Sequence, residues 1–295
     1  MRINKSTLEN YFFILPAVII FTIFYIIPFF WIFQLSMFDW DGILPTKIFV
    51  GLQNFKEIIS QDPSWWQAIG NAVYITLIAL ILQNALAFLL ALACDREIKM
   101  KNFYRAVFFI PPVLSEIVVG MAWRFIISGV DGANIINRML VSVGLPQLVH
   151  NWLSDPKTVL TTVALVHSWK GFGWGFLIFL AGLQIIPKEL YEAARVDGAS
   201  SWDSFKKITI PLMVPVIVLV SILTILGTMQ AFALILALVG GEFAGHTSVP
   251  VLRILTVMRD SSRFGYACAQ GISFGVILVI ISFIQYRLSK RYREE

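Results

Sequence analysis

The sequence predicts an all-α membrane protein with six transmembrane helices and with both termini in the cytoplasm. The first observation is composition: 58% of the 295 residues are hydrophobic, only 14% are charged, and the mean hydropathy is +0.77. A soluble domain has about half apolar and about a quarter charged residues, so this chain has too little polar surface for water to be its only solvent. The second observation is the length of its apolar segments, and the third is the distribution of lysine and arginine.

Six apolar segments are long enough to cross a membrane as helices, because about 20 apolar residues span the hydrocarbon core. Backbone groups in lipid must be bonded internally, and no segment alternates like a barrel strand, which favours helices. The first segment follows basic residues, but it is too long for a signal peptide and no cleavage site follows, so we interpret it as a retained anchor. The six segments are residues 11–36, 67–93, 104–128, 158–183, 212–239 and 265–287.

Lysine and arginine predict the orientation, since cytoplasmic loops of membrane proteins carry an excess of both. With the N-terminus inside, the cytoplasmic segments hold more of these residues than the longer outer loops, and an even number of spans puts the C-terminus inside too. The formal net charge of +5 then reflects these loops rather than nucleic-acid binding. The residues assigned to the cytoplasmic side are Arg2, Lys5, Arg96, Lys99, Lys101, Arg105, Lys188, Arg195, Lys206, Lys207, Arg287, Lys290, Arg291 and Arg293.

The chain shows no Gly/Ser-rich or charged linker and no visible internal repeat that would divide it into separate domains. We expect residues 1–66 to form the first transmembrane helix and an outer loop, and residues 67–288 to form a five-helix core. That core contains a cytoplasmic loop over residues 184–211, and residues 289–295 form a cytoplasmic tail.

A polar segment interrupts the apolar chain between the fourth and fifth spans, with the sequence LYEAARVDGASSWDSF at residues 190–205. Helical spacing places four of its residues on one face, and Gly198 stands where a helix would end in a left-handed residue. Ser200 and Asp203 have the spacing of a capping box, so a second helix begins there. A solvated amphipathic loop and a docking loop are both compatible with this pattern. The four residues on the shared face are Leu190, Ala193, Ala194 and Asp197.

The order of residues in this loop, EAARVDGASSWDSFKKITIP, closely resembles the cytoplasmic signature of ABC-transporter permease subunits from binding-protein-dependent importers. Three further stretches, AGLQIIPKELYEAA, LPAVIIFTIFYIIP and VGLQNF, look like the carbohydrate-uptake branch, similar to maltose-type and glycerol-3-phosphate-type first permease subunits. The resemblance covers nearly the whole chain. The matching loop residues are Glu192, Ala193, Ala194, Gly198, Ile208 and Pro211, with Ile210 in the usual Leu position.

The resemblance implies a type I ABC importer permease fold in a prokaryotic plasma (inner) membrane, and a sugar or oligosaccharide as cargo. It implies four partners: a second permease subunit, a dimer of ATP-binding cassette ATPases, an extracellular solute-binding protein and the lipid bilayer. The chain carries no P-loop of the G-x-x-x-x-G-K-[ST] type, so we expect ATP and Mg²⁺ to be bound by the ATPase and this subunit to be non-catalytic. We expect no metal site and no nucleic-acid partner.

The resemblance also assigns roles within the loop, which would form a coupling helix resting in a cleft of the ATPase. Glu192 would meet the ATPase electrostatically, the neighbouring alanines would allow close contact, and Gly198 would set the turn. A large residue at Gly198 is expected both to clash and to lose the positive-φ conformation. The ATPase-coupling residues are therefore Glu192, Ala193, Ala194, Asp197, Gly198 and Ala199.

Two ionisable residues, Glu116 and Lys170, lie near the middle of their predicted spans. Such residues are costly in lipid and usually face a cavity or a partner. Three alternatives are open: a structural ion pair, two separate contributions to a substrate path, or a misplaced span boundary. Aromatic stacking suits a sugar path, although core packing explains any single tryptophan equally well. The candidate substrate-path residues are Glu116, Trp169, Lys170, Trp174 and Gln230.

Glycines and prolines near these residues predict irregular helices, which membranes tolerate where the backbone lines a cavity or is buried in protein. Gly171, Gly173 and Gly175 would alternatively permit close helix packing. The pair Pro111–Pro112 likewise predicts an irregular helix. We assign no chemistry to His167. Around residues 232–242 the chain lacks the Asp and Pro found in many sugar permeases, so no substrate contact is transferred there.

Three other functions are alternatives to sugar import. Import of a glycerol-phosphate or another polyol-like solute would use the same mechanism. An ion-coupled secondary transporter would show inverted repeats and a cluster of membrane carboxylates, and neither is visible. An intramembrane enzyme would show a motif such as HExxH, Gly-x-Ser-x-Gly or paired catalytic carboxylates in the spans, and none is present.

Overall fold

The computed structural model describes residues 5–96, 99–128, 134–241 and 245–291, and these residues are mostly helical. Within these ranges, three short π-helical segments interrupt the helices, at Thr22–Ile26, Ala79–Gln83 and Phe205–Thr209. A two-stranded antiparallel hairpin joins β1 (Phe38–Asp39) to β2 (Ile48–Phe49). The α-helices of the described residues are α1 Lys5–Phe21, α2 Ile27–Leu35, α3 Gln53–Ser60, α4 Pro63–Ile78, α5 Asn84–Asp95, α6 Lys101–Val113, α7 Glu116–Ile127, α8 Ile135–Ser142, α9 Val159–Ile185, α10 Lys188–Val196, α11 Ser201–Ser204, α12 Ile210–Met229, α13 Ala233–Val239, α14 Pro250–Asp260 and α15 Phe264–Arg291.

Five continuous helices of the described residues are long and apolar enough to cross a membrane, and a bent pair of helices supplies a sixth span. The prediction of an all-α membrane protein with six spans is therefore confirmed, with α6 and α7 together forming the third span. The five continuous spans are Phe12–Leu35, Pro63–Asp95, Val159–Ile185, Ser201–Met229 and Phe264–Arg287.

The third span is not the continuous helix expected over residues 104–128. Helix α6 ends at Val113, and α7 starts at Glu116 at an angle of 94° to it. Leu114 and Ser115 between them are extended, with ψ values of 143° and 139°. Pro111 and Pro112 explain the break, because two successive residues without a backbone N–H weaken the last turn of α6. The irregularity predicted from this proline pair is confirmed.

The fifth span also differs from the expected range of residues 212–239. The helix begins earlier, at Ser201, and ends at Met229, after which Gln230 and Phe232 leave helical geometry before α13 begins. Hydropathy does not reveal this break, because α13 is as apolar as the end of α12. Gly120 lets α13 lie close to α7, since a Cβ atom on this glycine would stand 2.7 Å from the Cβ of Ala237.

Two compact units divide the chain, the first comprising Met1–Pro63 with Ile254–Ile277 and the second Ser64–Arg253 with Leu278–Glu295. The domain boundaries expected from the sequence, at residues 66 and 288, stay a prediction.

The first unit contains a polar cluster at the start of α15. Tyr266 donates a hydrogen bond of 2.9 Å to the carboxylate of Asp62, and Gln270 donates one of 3.2 Å to the same oxygen. Arg263 makes a bidentate ion pair with Glu57, with N–O distances of 2.6 and 2.7 Å. These bonds hold α3 and the residue before α4 to α15 within this unit.

The second unit has its apolar core around α9, which packs against α5, α6 and α12. Phe176 and Phe179 are buried at the centre of this core, and the small side chains of Ala87 and Ala91 let α5 approach them. Met213 of α12 completes the cluster. Because α9 carries Lys170 and leads directly into α10, this core positions both Lys170 and the polar segment after the fourth span.

Candidate functional site

The polar segment after the fourth span forms two helices joined by a tight glycine turn, as the sequence predicted. Helix α10 ends at Val196, and Gly198 adopts the left-handed conformation with φ of +76°. The amide of Ala199 donates to the carbonyl of Ala194 at 2.8 Å, and the amide of Gly198 donates to that of Arg195 at 3.1 Å. This pair of bonds is a Schellman motif, which satisfies carbonyls at the end of α10.

The second helix begins with the capping box expected from the sequence. The side chain of Ser200 accepts a hydrogen bond of 3.1 Å from the amide of Asp203, whose carboxylate accepts one of 3.3 Å from the amide of Ser200. The two side chains are also directly bonded to each other. Lys207 lies 3.5 Å from the other carboxylate oxygen of Asp203. The turn is thus bonded on both sides of Gly198.

The predicted coupling residues lie at the surface of this turn. Glu192, Ala193, Asp197 and Gly198 are exposed, and Ala194 and Ala199 are half-buried. No described atom lies within 4 Å of the position where a Cβ on Gly198 would stand, so a side chain there would not clash inside this chain. The clash expected from the sequence for a large residue at position 198 would therefore have to involve a partner protein at this surface.

Large apolar side chains surround these residues. Val196 is 88% exposed and Trp202 is 69% exposed. Trp202 stacks on Phe205, with ring centroids 5.5 Å apart, and Phe205 in turn approaches Phe88 of α5. The segment therefore presents apolar groups and the Glu192 carboxylate to its surroundings while it stays packed against the membrane-spanning helices.

A second region, inside the membrane-spanning helices, brings together the two charged residues singled out in the sequence. The Nζ atom of Lys170 lies 3.7 Å from a carboxylate oxygen of Glu116. Glu116 is the first residue of α7, where a carboxylate is favoured by the positive end of the helix dipole. The break after α6 thus places the Glu116 side chain at the level of Lys170.

A cavity of about 290 Å³ adjoins this ion pair. Glu116, Lys170 and Trp174 all line this cavity. The ion pair and the candidate substrate path therefore share one location and do not exclude each other. Trp174 also packs edge-on against Phe109. The other lining residues are Gln83, His167, Gly171, Gly175, Ile178, Val220, Leu223, Thr224, Gly227 and Thr228.

Two of the candidate path residues lie elsewhere. Trp169 packs edge-on against Trp123 and faces a separate, almost entirely apolar cavity of about 270 Å³. Gln230 caps the end of α12, where its side-chain amide donates to the carbonyl of Leu226 at 3.1 Å. Neither residue is among the described residues that line the cavity beside Lys170.

The glycine cluster of α9 serves close packing, the second of the two alternatives considered. Helix α9 runs unbroken through all three glycines. A Cβ on Gly173 would stand 2.5 Å from the carbonyl oxygen of Phe108, and one on Gly175 would stand 3.2 Å from side chains of α5 and α12. A Cβ on Gly171 would overlap the side-chain amide of Gln83.

Sequence reasoning missed two adjacent polar residues of the second span, of which Gln83 lines this cavity. Gln83 and Asn84 are buried at the end of the π-helical segment Ala79–Gln83. Asn84 accepts a hydrogen bond of 2.9 Å from the hydroxyl of Thr224 in α12. Two adjacent carboxamides within an apolar run were a usable signal, since polar groups in spans usually face a cavity or a partner.

Within the described residues, no group of three or more His, Cys, Asp or Glu side chains is arranged to hold a metal ion. His167 borders the cavity without such companions.

Comparisons with known proteins agree on the family. Residues 14–294 match the family described as "Binding-protein-dependent transport system inner membrane component". The arabinooligosaccharides transport system permease protein AraP of Bacillus subtilis is 32% identical, over 97% of this chain and 90% of that protein. The multiple sugar-binding transport system permease protein MsmF of Streptococcus mutans is 31% identical, over 95% of this chain and 94% of that protein.

A solved structure supports the same conclusion. A chain of a bacterial ABC transporter involved in the import of the acidic polysaccharide alginate superposes with a TM-score of 0.80 at 26% identity, covering 97% of this chain and 96% of that one. The chain described here is therefore a member of the family of inner-membrane components of binding-protein-dependent transport systems, with the fold of a type I ABC importer permease.

Proposed function

We propose that this chain is the translocation subunit of an ATP-driven importer for a sugar or oligosaccharide delivered by an extracellular solute-binding protein. The similar permeases AraP and MsmF are named for sugar transport, and the superposed structure belongs to an alginate importer. The observation that carries the proposal is the exposed helix–turn–helix around Gly198, which is rigidly bonded yet offers its surface to a partner.

In this proposal the turn couples the chain to an ATPase. The carboxylate of Glu192 offers a charged contact, and the small side chains of Ala193, Ala194 and Ala199 let a partner approach closely. Asp197 caps the end of α10 and Gly198 sets the turn. The exposed Val196 and Trp202 add apolar surface, which is typical of an interaction site rather than of a solvated loop.

The remaining components are proposed on the same basis. A second permease subunit would complete the translocation path, and a dimer of ATP-binding cassette ATPases would bind ATP and Mg²⁺. This subunit would catalyse no reaction itself. Both termini would lie in the cytoplasm of a prokaryotic cell, as the distribution of Lys and Arg indicates.

The cavity beside Lys170 is the proposed part of the substrate path in this chain. Trp174 offers an aromatic face, and the ion pair with Glu116 balances the charge of Lys170. A balanced charge suits an uncharged carbohydrate better than a glycerol-phosphate, whose phosphate would need an unpaired cation. Trp169 and Gln230, which do not line this cavity, would act only indirectly.

Co-expression tests the proposal. The chain is produced with an ABC ATPase and a solute-binding protein from the same genome, and uptake of labelled maltotriose, arabinotriose, an alginate trisaccharide and glycerol 3-phosphate is measured in proteoliposomes. The proposal expects co-purification of the ATPase and ATP-dependent uptake of at least one of the oligosaccharides. Uptake of glycerol 3-phosphate alone would establish the alternative cargo, and failure of the ATPase to associate would refute the coupling.

A matched pair of variants locates the contact. Glu192→Lys is expected to abolish ATPase association, because it reverses the proposed charge. Glu189→Lys, on the same helix and also exposed, is the control and should retain association. Equal losses in both variants would show that α10 as a whole, rather than Glu192, sets the contact.

A further inference from the structure

Gln83 has a buried side chain with an unused hydrogen-bond acceptor. Only 7% of the residue is exposed, and its Oε1 atom has no hydrogen-bond partner among the described residues. Burying an amide oxygen without a partner is unfavourable, and such atoms are rare in native proteins. The atom is therefore expected to have a function that offsets this cost.

The backbone around Gln83 is also unusual. Gln83 is the last residue of the π-helical segment Ala79–Gln83, which interrupts the second span. Single π-helical turns inside α-helices occur frequently at functional sites, because the wider turn changes the direction in which side chains point. The next residue, Asn84, uses its carboxamide oxygen to accept the Thr224 hydroxyl. Two adjacent carboxamides therefore differ: one is bonded within the protein and the other is not.

The wall of α9 opposite Gln83 is shaped to accommodate it. Gly171 stands beside the Gln83 amide, and a Cβ atom at that position would overlap the amide. Any other residue at 171 would displace the Gln83 side chain from the cavity that both residues line. Gly171 thus keeps open the space in which the amide lies.

The other polar groups of the cavity do not serve as donors to Gln83. Thr224 donates its hydroxyl proton to Asn84, and Thr228 donates to the backbone carbonyl of Thr224 at 2.8 Å. The charged groups that line the cavity, Glu116 and Lys170, face each other. His167 also lines the cavity, but its buried Nδ1 has no partner among the described residues either, so no described side chain donates to Gln83 Oε1. A molecule that enters the cavity can supply this donor.

We infer that Gln83 is a specificity-determining residue whose carboxamide oxygen accepts a hydrogen bond from a hydroxyl group of an uncharged carbohydrate in this cavity. This inference rests on the proposed function and deepens it, because it names the second span as part of the substrate contact. A hydroxyl-rich molecule supplies donors without adding charge to a lining whose charges are balanced.

The variant Gln83→Met tests the inference, since methionine preserves the size of the side chain and removes the unpartnered oxygen. The complete transporter is reconstituted with its ATPase and binding protein, and sugar uptake and ATP hydrolysis are measured together with whichever of maltotriose and arabinotriose the wild type transports. We expect sugar transported per ATP to fall about tenfold, which corresponds to the loss of one hydrogen bond of about 1.4 kcal/mol. The melting temperature without sugar should rise by about 2 °C, because an unsatisfied buried group is removed. Gln83→Leu should give the same two changes.

Gln270 provides a matched control. It is fully buried and also has an Oε1 atom without a partner among the described residues, but it donates to Asp62 and does not line the cavity. Gln270→Met should lower the melting temperature, because the bond to Asp62 is lost, and should leave sugar transported per ATP unchanged.

The outcomes separate the inference from the proposed function. If the wild type transports no sugar, the proposed function fails. If it transports only the anionic alginate trisaccharide, the proposed function stands and the inference of an uncharged ligand is overturned. If the wild type transports a sugar and both Gln83 variants keep its ratio of sugar to ATP, the inference is overturned and Gln83 binds only water. A lower melting temperature with an unchanged ratio would also overturn it, by showing that Gln83 has a structural role.

Discussion

The hydroxyl group of Tyr191 lies 2.9 Å from the hydroxyl group of Thr209, and this hydrogen bond joins α10 to the start of the fifth span. Tyr191 stands next to Glu192, and Thr209 is the last residue of the π-helical segment Phe205–Thr209. A movement of α10 is therefore transmitted to the fifth span through this hydrogen bond as well as along the backbone of the Gly198 turn.

Removing this hydrogen bond should weaken coupling. Tyr191→Phe and Thr209→Val are each expected to reduce the free energy of unfolding by about 0.5–1.5 kcal/mol, and the double variant should cost little more than either one. Thermal unfolding in detergent gives the stability, and sugar transported per ATP in proteoliposomes gives the coupling. Tyr286→Phe is the control, because this ring is 65% exposed. Additive losses in the double variant would show that the two hydroxyls do not interact.

The Gly198 turn should depend on backbone conformation rather than on space within this chain. A β-branched residue in the left-handed conformation costs about 1–2 kcal/mol, whereas asparagine is tolerated there. We expect Gly198→Val to abolish ATP-dependent uptake and Gly198→Asn to retain it, measured at equal expression. Since no described atom lies within 4 Å of the new Cβ, a loss in both variants would point to a clash with the partner ATPase.

The ion pair between Glu116 and Lys170 should contribute to stability. Replacing one partner, as in Lys170→Met or Glu116→Gln, is expected to cost about 1–2 kcal/mol, less than for a fully buried pair because the Glu116 side chain is 40% exposed. The exchange Glu116→Lys with Lys170→Glu should recover only part of the loss, because a lysine at the first residue of α7 opposes the helix dipole. A thermal double-mutant cycle measures the coupling, and a value near zero would show that the pair contributes nothing.

Two glycines should respond oppositely to alanine. Gly173→Ala is expected to destabilise the protein by about 1–3 kcal/mol, because the new Cβ would stand 2.5 Å from the Phe108 carbonyl oxygen. Gly70→Ala, in α4, meets no described atom within 4 Å and should be neutral or stabilising by up to about 1 kcal/mol. Melting temperatures in detergent distinguish the two, and a stable Gly173→Ala variant would contradict the packing described for α6 and α9.

The sequence located the spans and one of the two breaks within them. Hydropathy averages over a window, so the break at Gln230 between two apolar helices has no signature. The break after Val113 was signalled by the proline pair, because missing N–H groups have a local effect.

In the candidate site, features that depend on local backbone chemistry were predicted, whereas contacts between helices were not. The glycine turn and capping box around Gly198 depend on local backbone chemistry, and both were read correctly. Glu116 and Lys170 attracted attention through their positions in the predicted spans, but their contact depends on how α7 begins. Gln83 and Asn84 carried a usable signal as adjacent carboxamides in an apolar run, but the π-helical backbone that positions Gln83 leaves no pattern in composition.

The π-helical segment Ala79–Gln83 also determines where this gene can change in length. A π-helical turn holds one residue more than an α-helical turn, so loss of a single codon here would close the segment into a regular α-helix. Residues after the segment would keep their faces, and Ala87 and Ala91 would still pack against α9. A codon lost within α4 or α5 would instead turn every later residue of the span about 100° around the helix axis.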